Sequence, residues 1–189
     1  MDVLDRVVLI TGASSGVGAA LAGKLAGMGA RVVVNYSRSA EAAEGVVVQI
    51  EAAGGRALAV QADVSEEADC KRLVETTVAH FGQLDVLVNN AGTTTFVPHD
   101  QLDDLTEDIW LRTLKVNLVG AFMMSRAVAP HIEAAGGGEI VMTSSIASVT
   151  ANGSSIAYCA SKAGLNSLTR TLAKTLGKQN IRVNGVLPG

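Results

Sequence analysis

Aromatic side chains are scarce in this sequence, at 3% of its 189 residues, although 48% of the residues are hydrophobic. Large rings therefore contribute little to the interior, and the core has to be built from Ala, Val, Leu and Ile. A chain of this length is long enough to form one domain with a substantial core. Because no stretch has the composition of a linker, we expect a single domain over residues 1–189.

The sequence also lacks a basic excess and a long apolar run. Its 15 Lys and Arg residues against 18 Asp and Glu residues give a formal net charge of -3, which argues against nucleic acid as a partner. No apolar run is long enough to cross a membrane, and the opening residues, MDVLDRVV, show no basic-then-apolar leader. We therefore expect a cytoplasmic protein with no membrane or nucleic-acid partner.

Cysteine and histidine are too few and too scattered to suggest a metal site. The two cysteines, Cys70 and Cys159, form no close-spaced pair, and we interpret both as reduced thiols. None of the three histidines lies at metal-ligand spacing from another histidine or from a cysteine. The sequence predicts no bound metal.

Short β-branched runs alternate with helix-like stretches along the chain. RVVLIT, RVVVNY and LDVLVNN are apolar at successive positions, as in strands that are covered on both faces. Helices are expected over about 16–29, from 39 to a stop at Gly54, from a cap at Ser65, over 103–135 with a break near Pro130, and over 155–177. This order predicts an α/β fold, a Rossmann-like doubly wound parallel sheet with helices on both faces and ligands at the carboxyl ends of the strands.

The first predicted strand runs into TGASSGVG, which places three glycines on the turn into the first helix. Gly12 permits the tight turn, Gly16 lets backbone approach a phosphate, and Gly18 lets the helix pack closely on the sheet. The predicted pyrophosphate contacts are Gly12, Ser14, Ser15, Gly16, Val17 and Gly18. The spacing is not G-x-G-x-x-G, so on this pattern alone an S-adenosylmethionine-dependent methyltransferase remains open.

The second strand ends in NYSRS, which has no acidic residue to hold a free ribose 2′-hydroxyl. It offers Asn35, Tyr36, Ser37 and Arg38 instead, and a guanidinium pairs well with a phosphate. The sequence therefore predicts NADP rather than NAD, with these four residues around the adenosine ribose. The alternative, in which Arg38 is an ordinary solvated arginine of a turn, remains open.

Two further strand ends suit a dinucleotide. In ADV, Asp63 could accept a hydrogen bond from the adenine amino group while Val64 packs on the ring. In NNAG, the asparagines can tie loops together and Ala-Gly allows close approach to a ribose. We add Asp63, Val64, Asn90, Ala91 and Gly92 to the predicted cofactor contacts.

Tyr158 and Lys162 stand four residues apart in AYCASKAG, so they share a helix face. A phenol is a poor acid–base catalyst at neutral pH unless a nearby cation favours its ionised form. An unrelated surface lysine is the alternative interpretation of Lys162. A nucleophilic role for Cys159 has no support, because no histidine is near in sequence and adjacent helix positions do not face each other.

Taken in order, the motifs resemble those of the short-chain dehydrogenase/reductase family across the whole chain. They are TGASSGVG, ADV, NNAG, Asn117 in KVNLVGAF, Ser145 in TSSIAS, YCASK and VNGVLPG. The resemblance is nearest to 3-oxoacyl-(acyl carrier protein) reductases and glucose dehydrogenases. The former often carry Arg where Ser15 stands, which would leave Arg38 to contact the phosphate alone.

The resemblance implies an enzyme that transfers a hydride between NADP(H) and a carbonyl or alcohol, such as a 3-oxoacyl thioester. It implies that Tyr158 donates the proton and that Ser145 orients the substrate oxygen. It also implies that Lys162 favours the ionised form of Tyr158 and binds the nicotinamide ribose. Asn117 would hold a water for proton relay. Thr143, Pro188 and Gly189 join the cofactor contacts. The alternative is a non-catalytic dinucleotide-binding regulator, a kind of protein that typically lacks the tyrosine or the lysine.

The resemblance also carries expectations about assembly, substrate and chain length. It implies a homodimer or homotetramer that pairs through the helices at 103–135 and 155–177. The segment after the fourth strand would set the substrate, with Phe96 and Val97 as an apolar wall. The family's pattern continues past Gly189 with a lid, a helix and a seventh strand, so we expect a fold without them and a chain truncated at its C-terminus.

Overall fold

The computed structural model describes residues 3–189, and in these residues the strands form one parallel sheet. The strands are β1 (Val7–Ile10), β2 (Arg31–Tyr36), β3 (Arg56–Gln61), β4 (Val86–Asn89), β5 (Gly138–Thr143) and β6 (Ile181–Val186). Their order across the sheet is β3-β2-β1-β4-β5-β6. The direction of winding reverses between β1 and β4, which is where doubly wound sheets bind ligands. The predicted fold class is confirmed.

Helices cover both faces of this sheet. They are α1 (Gly16–Gly27), α2 (Ala40–Ala52), α3 (Glu67–Phe81), α4 (Glu107–Leu114), α5 (Ala121–Ala134), α6 (Ala147–Thr150) and α7 (Ile156–Leu176). A π-helical turn, Lys115–Gly120, joins α4 to α5, and short 3-10 turns lie at Leu102–Asp104 and Gly177–Gln179.

The strands are apolar at successive positions because each strand contributes to two cores. Val7 and Leu9 pack in the cluster that includes α3, α5 and α7, whereas Val8 and Ile10 pack in the cluster that includes α1 and α2. Successive strand residues point to opposite faces, so a sheet covered on both sides needs apolar side chains at every position.

The expected helix break near Pro130 is wrong. Pro130 lies inside α5, and the helix continues to Ala134. A proline removes one backbone hydrogen bond, but Ala129 and Ile132, 7% and 0% exposed, anchor this turn in the core. The interruption occurs earlier, at the π-helical turn 115–120.

The expected helix cap at Ser65 is also wrong, whereas the predicted helix start at 155 is confirmed. Helix α3 begins at Glu67, and the Ser65 hydroxyl donates to Asp63 Oδ1 at 2.7 Å. The N-cap residue of α3 is Glu66, so Ser65 lies one position before the cap. By contrast, Ser155 Oγ accepts from the Tyr158 N–H at 3.2 Å and caps α7.

Over residues 3–189, no helix combines the length and apolar character that spanning a bilayer requires. The same residues contain no group of three or more His, Cys, Asp or Glu side chains arranged to hold a metal. Cys70 and Cys159 are both buried and free.

Candidate active site

The turn between β1 and α1 has the backbone geometry of a phosphate cradle. Gly12 and Gly16 have φ angles of +63° and +56°, in the left-handed region that favours glycine. A Cβ on Gly12 would lie 2.8 Å from Ala91 Cα, so this glycine lets the turns after β1 and β4 touch. A Cβ on Gly16 would meet nothing within 4 Å, so that side of the turn is open to a ligand.

Gly18 has a different role, in packing. A Cβ there would lie 2.6 Å from Gly12 O and 2.7 Å from Asn90 Nδ2.

We expect Gly18→Ala to lower the free energy of unfolding by about 1–3 kcal/mol, because backbone has to shift to make room. Gly23→Ala in the same helix is the control: its Cβ would meet nothing within 4 Å, and removing a mid-helix glycine should stabilise the fold by about 0.5–1 kcal/mol. Urea unfolding of both variants measures the difference, and equal effects would contradict it.

Thr11 and Asn90 lock the β1 and β4 turns together. Asn90 Nδ2 donates to Thr11 O and Gly12 O, while Thr11 Oγ1 accepts from the Asn90 and Ala91 N–H groups, each bond at 3.0 Å. The Asn90 amide is therefore committed to the turn, and the backbone of 90–92 faces the cleft. The sequence interpretation missed Thr11, whose signal was a hydroxyl at the end of a buried strand, directly before the glycine turn.

Asn35 has a similar structural role at the end of β2. Its Nδ2 donates to Val60 O at 3.2 Å and Ala62 O at 3.0 Å, and its Oδ1 accepts from the Gly12 N–H at 3.2 Å. The side chain is 1% exposed. The Asn35 amide therefore fixes the ends of three strands, and its contact with a ribose stays a prediction.

A cleft of about 900 Å³ runs along these strand ends. The predicted residues that line it are Gly12, Ser14, Ser15, Asn35, Tyr36, Ser37, Arg38, Asp63, Val64, Asn90, Ala91 and Gly92. The residues not predicted are Ser39, Gln61, Ala62, Ser65, Thr93, Arg112, Lys115 and Val116. The predicted site residues that lie outside this lining are Gly16, Val17, Gly18, Asn117, Thr143, Ser145, Tyr158, Lys162, Pro188 and Gly189. A second hollow of about 250 Å³, between α3 and α5, contains none of the predicted residues.

Three cations lie along the cleft, and they differ in their partners. Lys115 pairs with Glu66 at 2.6 Å. Within residues 3–189, neither Arg38 nor Arg112 has an ion-pair partner. Two guanidinium groups are therefore available to an anionic ligand, and sequence reasoning had identified one of them.

Asp63 is held as a carboxylate beside these cations. Burial alone would raise its pKa, but hydrogen bonds from the Ser65 hydroxyl and N–H and from Ser37 outweigh burial and hold the pKa below its ordinary value. An ionised Asp63 is an acceptor suited to an amino group, as the adenine interpretation requires.

Tyr158 and Lys162 lie on one face of α7, at the carboxyl end of the sheet. Lys162 Nζ is 5.7 Å from the centroid of the Tyr158 ring. Lys162 is 4% exposed and donates to Thr143 O, the last residue of β5, at 2.7 Å. Burial lowers the pKa of Lys162 to about 8.

The Lys162 ammonium lies at the Gly92 end of the cleft. A Cβ on Gly92 would lie 3.7 Å from Lys162 Nζ and 3.5 Å from Asn117 Oδ1. An ammonium has three N–H donors, and among the described residues one acceptor, Thr143 O, takes a hydrogen bond from it. A buried cation with donors to spare, next to an open cleft, is suited to ligand hydroxyls.

Asn117 lies in the π-helical turn and is 1% exposed. Its Oδ1 accepts from the Thr93 N–H at 2.7 Å, and its Nδ2 donates to Thr93 O at 2.9 Å and Ser161 Oγ at 3.0 Å. Both amide hydrogens are used, so this side chain has no N–H left for the water expected from the resemblance.

Ser145 follows β5 and lies next to the end of the chain. Its Oγ accepts from the Ala147 N–H at 3.2 Å. The neighbouring Ile146 N–H donates to Pro188 O at 2.9 Å, which brings Pro188 beside the serine. Thr143 O, at the end of the same strand, accepts from Lys162 Nζ.

The expected apolar wall after β4 is half wrong. Val97 is 6% exposed and belongs to the interior, whereas Phe96 is 75% exposed. The Val97 N–H donates to Ser154 O at 2.9 Å, and this bond turns Val97 inward. Which residues of a loop are exposed and which are buried cannot be inferred from the residue types alone.

Comparisons with known proteins agree over nearly the whole chain. A family model described as short chain dehydrogenase matches residues 6–189. A protein described as a ketoacyl reductase of the granaticin polyketide synthase of Streptomyces violaceoruber is 48% identical over 183 residues, which cover 97% of this chain and 72% of that protein. The 3-oxoacyl-[acyl-carrier-protein] reductase of Synechocystis sp. is 41% identical over 186 residues, covering 97% of this chain and 73% of that protein.

A solved structure shows the same fold. A protein from Burkholderia xenovorans described as a short-chain dehydrogenase/reductase superposes with a TM-score of 0.95 at 37% identity, covering 98% of this chain and 77% of that one.

Proposed function

The chain belongs to the short-chain dehydrogenase family, whose members are oxidoreductases that use NAD(P), and from its site we propose that it reduces a carbonyl compound with NADPH. The observation that carries the proposal is the buried Lys162 ammonium, 5.7 Å from the Tyr158 ring centroid and beside the Gly92 end of the cleft. A phenol and a buried ammonium on one face of α7, close to Gly92 of the cleft lining, support this proposal.

The residues present fit a dinucleotide. Gly12 lines the cleft with a left-handed backbone that carries no side chain, and the Lys162 ammonium has N–H donors beyond the one bonded to Thr143 O that could bind ribose hydroxyls. When bound, the nicotinamide group supplies the hydride that the reduction needs.

Side chains of the protein donate the proton and orient the carbonyl oxygen. The Tyr158 hydroxyl donates its proton to the carbonyl oxygen as charge develops there, which leaves a phenolate that the Lys162 ammonium stabilises. Ser145 Oγ hydrogen-bonds the same oxygen and orients it. Asn117 contributes by fixing Thr93 and Ser161 through its amide rather than by direct contact with the reacting atoms.

We propose a 3-oxoacyl thioester as substrate, because two relatives are described as a ketoacyl reductase and a 3-oxoacyl reductase. The test is NADPH consumption by the purified protein with 3-oxoacyl thioesters, simple ketones and aldoses. Faster turnover of thioesters is the expected result. Turnover of ketones or sugars alone would reject the thioester as the substrate but would still support an oxidoreductase activity. NADPH binding without turnover on any carbonyl would favour the regulator, which the intact Asn117, Ser145, Tyr158 and Lys162 argue against.

Arg38 should decide the choice of cofactor. We expect Arg38→Ala to weaken NADPH binding by roughly 10- to 100-fold, since a charge-assisted hydrogen bond contributes about 1.5–3 kcal/mol, and to leave NADH binding nearly unchanged. Arg112→Ala is the matched control, because Arg112 is the other unpaired guanidinium on the cleft. Fluorescence titration with both cofactors measures the effect. A selective loss of NADPH affinity in Arg112→Ala instead would move the 2′-phosphate site to Arg112.

We propose a homodimer or homotetramer built on the α4–α5 side. Three apolar side chains on this side are exposed: Leu111 by 57%, Val119 by 44% and Phe122 by 40%. We expect Phe122→Glu to shift the protein to smaller species in light scattering, because it places a charge in an apolar contact. Val48→Glu, on the exposed face of α2, should change nothing. A wild-type monomer at micromolar concentration would contradict the proposal.

The methyltransferase alternative loses its support with the family assignment, since that chemistry has no need of the Tyr158–Lys162 pair. The cytoplasmic location and the absence of nucleic-acid and membrane partners remain predictions of the sequence.

A further inference from the structure

Hydrogen bonds join the catalytic candidates Asn117 and Tyr158 through the loop after β4. The Asn117 amide pairs with both backbone groups of Thr93. On the next residue, Thr94 Oγ1 lies 2.5 Å from Ser154 Oγ. Ser155, the residue that follows Ser154, caps α7 by accepting a hydrogen bond from the Tyr158 N–H at 3.2 Å.

The connection closes on the other side of Tyr158. Ser161 Oγ donates to Tyr158 O at 2.7 Å and accepts from Asn117 Nδ2 at 3.0 Å. The result is a closed circuit of hydrogen bonds and backbone that passes from Asn117 through Thr93, Thr94, Ser154, Ser155, Tyr158 and Ser161 back to Asn117. We call it the tyrosine circuit.

The Thr94–Ser154 bond is the link of the tyrosine circuit nearest to solvent. Asn117, Ser155 and Ser161 are at most 1% exposed, whereas Thr94 is exposed and Ser154 is partly exposed. The same two segments also meet through Val97 N–H and Ser154 O at 2.9 Å, and through His99 Nε2 and Gly153 O at 3.2 Å. Three contacts therefore hold these two segments together: one backbone hydrogen bond, one contact of the His99 side chain, and the Thr94–Ser154 hydroxyl pair.

We propose that Thr94 and Ser154 are positioning residues for the reduction, and this inference rests on the proposed function. Their hydroxyl pair holds the loop after β4 against the N-terminus of α7, so that Tyr158 keeps its place beside Lys162. Neither hydroxyl needs to touch the reacting atoms. A small misplacement of a catalytic group costs rate rather than affinity, because the reacting atoms lose their alignment.

The test measures kcat, KM and dinucleotide affinity in Thr94→Val, Ser154→Ala and the double variant. Each single change should lower kcat by roughly 3- to 10-fold, which corresponds to the loss of one hydrogen bond, with dinucleotide affinity unchanged. The double variant should lose no more than the worse single variant, because both changes break the same bond. Thr94→Ser keeps the hydroxyl and should stay within about twofold of wild type.

Thr175→Val is the matched control, since its hydroxyl lies on the exposed surface of the same helix and bonds Thr171 O. It should leave kcat unchanged. Unchanged kcat in both single variants, or losses that multiply in the double variant, would overturn the inference. A loss in Thr94→Ser as large as in Thr94→Val would also overturn it.

Hydrogen exchange separates this inference from the proposed function. The Tyr158 amide should exchange faster in Thr94→Val and Ser154→Ala than in wild type and Thr175→Val, whether or not a substrate is known. Faster exchange in these two variants, together with a wild-type protein that reduces no carbonyl, would reject the proposed function and still support the tyrosine circuit. Unchanged exchange would reject the circuit even in an active enzyme.

Discussion

Tyr158→Phe should abolish carbonyl reduction while leaving the fold and dinucleotide binding intact. The change deletes one hydroxyl from a partly buried ring, and the N–H and C=O of residue 158 keep their bonds to Ser155 and Ser161. The proton donor is lost, and a positioned acid contributes about 10²- to 10⁴-fold to rate. We therefore expect kcat to fall by at least about 100-fold, with the NADPH dissociation constant within about twofold of wild type.

The measurement is initial rate under saturating NADPH, with cofactor binding followed by fluorescence in the same preparation. Tyr36→Phe is a matched control for losing a phenol hydroxyl, since Tyr36 lines the cleft at the end of β2, where we propose that the adenosine ribose binds. Its effect should appear in cofactor affinity and not in kcat at saturation. Retained activity in Tyr158→Phe would refute the assignment of Tyr158 as the proton donor.

Most of the fold was predictable because the pattern of apolar residues in each strand indicates which of its two faces are buried. Val7, Val8, Leu9 and Ile10 are buried on two faces, and uninterrupted apolar runs of this kind occur in sheets covered on both sides. The two errors concern helix ends. The predicted break near Pro130 is wrong because core packing of Ile132 outweighs one missing hydrogen bond, and the predicted Ser65 cap is wrong because α3 begins later, with Glu66 as its N-cap residue.

The site was predictable in its residue types and less so in their roles. Local spacing placed Tyr158 and Lys162 on one face, and the structure brings them together. The tasks of Asn35 and Asn90 depend on strands far apart in sequence, to which their amides bond, and no local pattern shows which acceptors lie there. Thr11 and the Thr94–Ser154 pair were missed for the same reason, since their partners lie far away in sequence, and Arg112 was missed because no local pattern shows that it lines the cleft.

Lys162→Met should remove turnover and also remove a pH dependence of stability. Burial lowers the pKa of Lys162 from 10.5 to about 8 in the folded chain. Between pH 8 and 10.5 the folded state releases this proton while the unfolded state keeps it, so the unfolded state binds more protons. Stability of the dinucleotide-free protein therefore rises with pH across this window, by up to about 3 kcal/mol from this group.

Another buried group acts with the opposite sign. Burial raises the pKa of the Cys70 thiol from 9.0 to about 11. The unfolded chain releases this proton first, so Cys70 lowers stability between about pH 9 and 11. The difference between wild type and Lys162→Met isolates the lysine, because Cys70 is present in both proteins.

The decisive measurement is urea unfolding of both dinucleotide-free proteins at intervals from pH 7 to 10. We expect the free energy of unfolding of wild type to gain about 2–3 kcal/mol relative to Lys162→Met over this range. Turnover of the variant should fall by at least about 100-fold at pH 7, where the wild-type Lys162 is charged, since methionine offers neither a cation to the phenolate nor donors to a ribose. Parallel stability curves for the two proteins would show that Lys162 does not bear a desolvated charge. The ammonium would then lack the strong field on Tyr158 that the proposed mechanism needs.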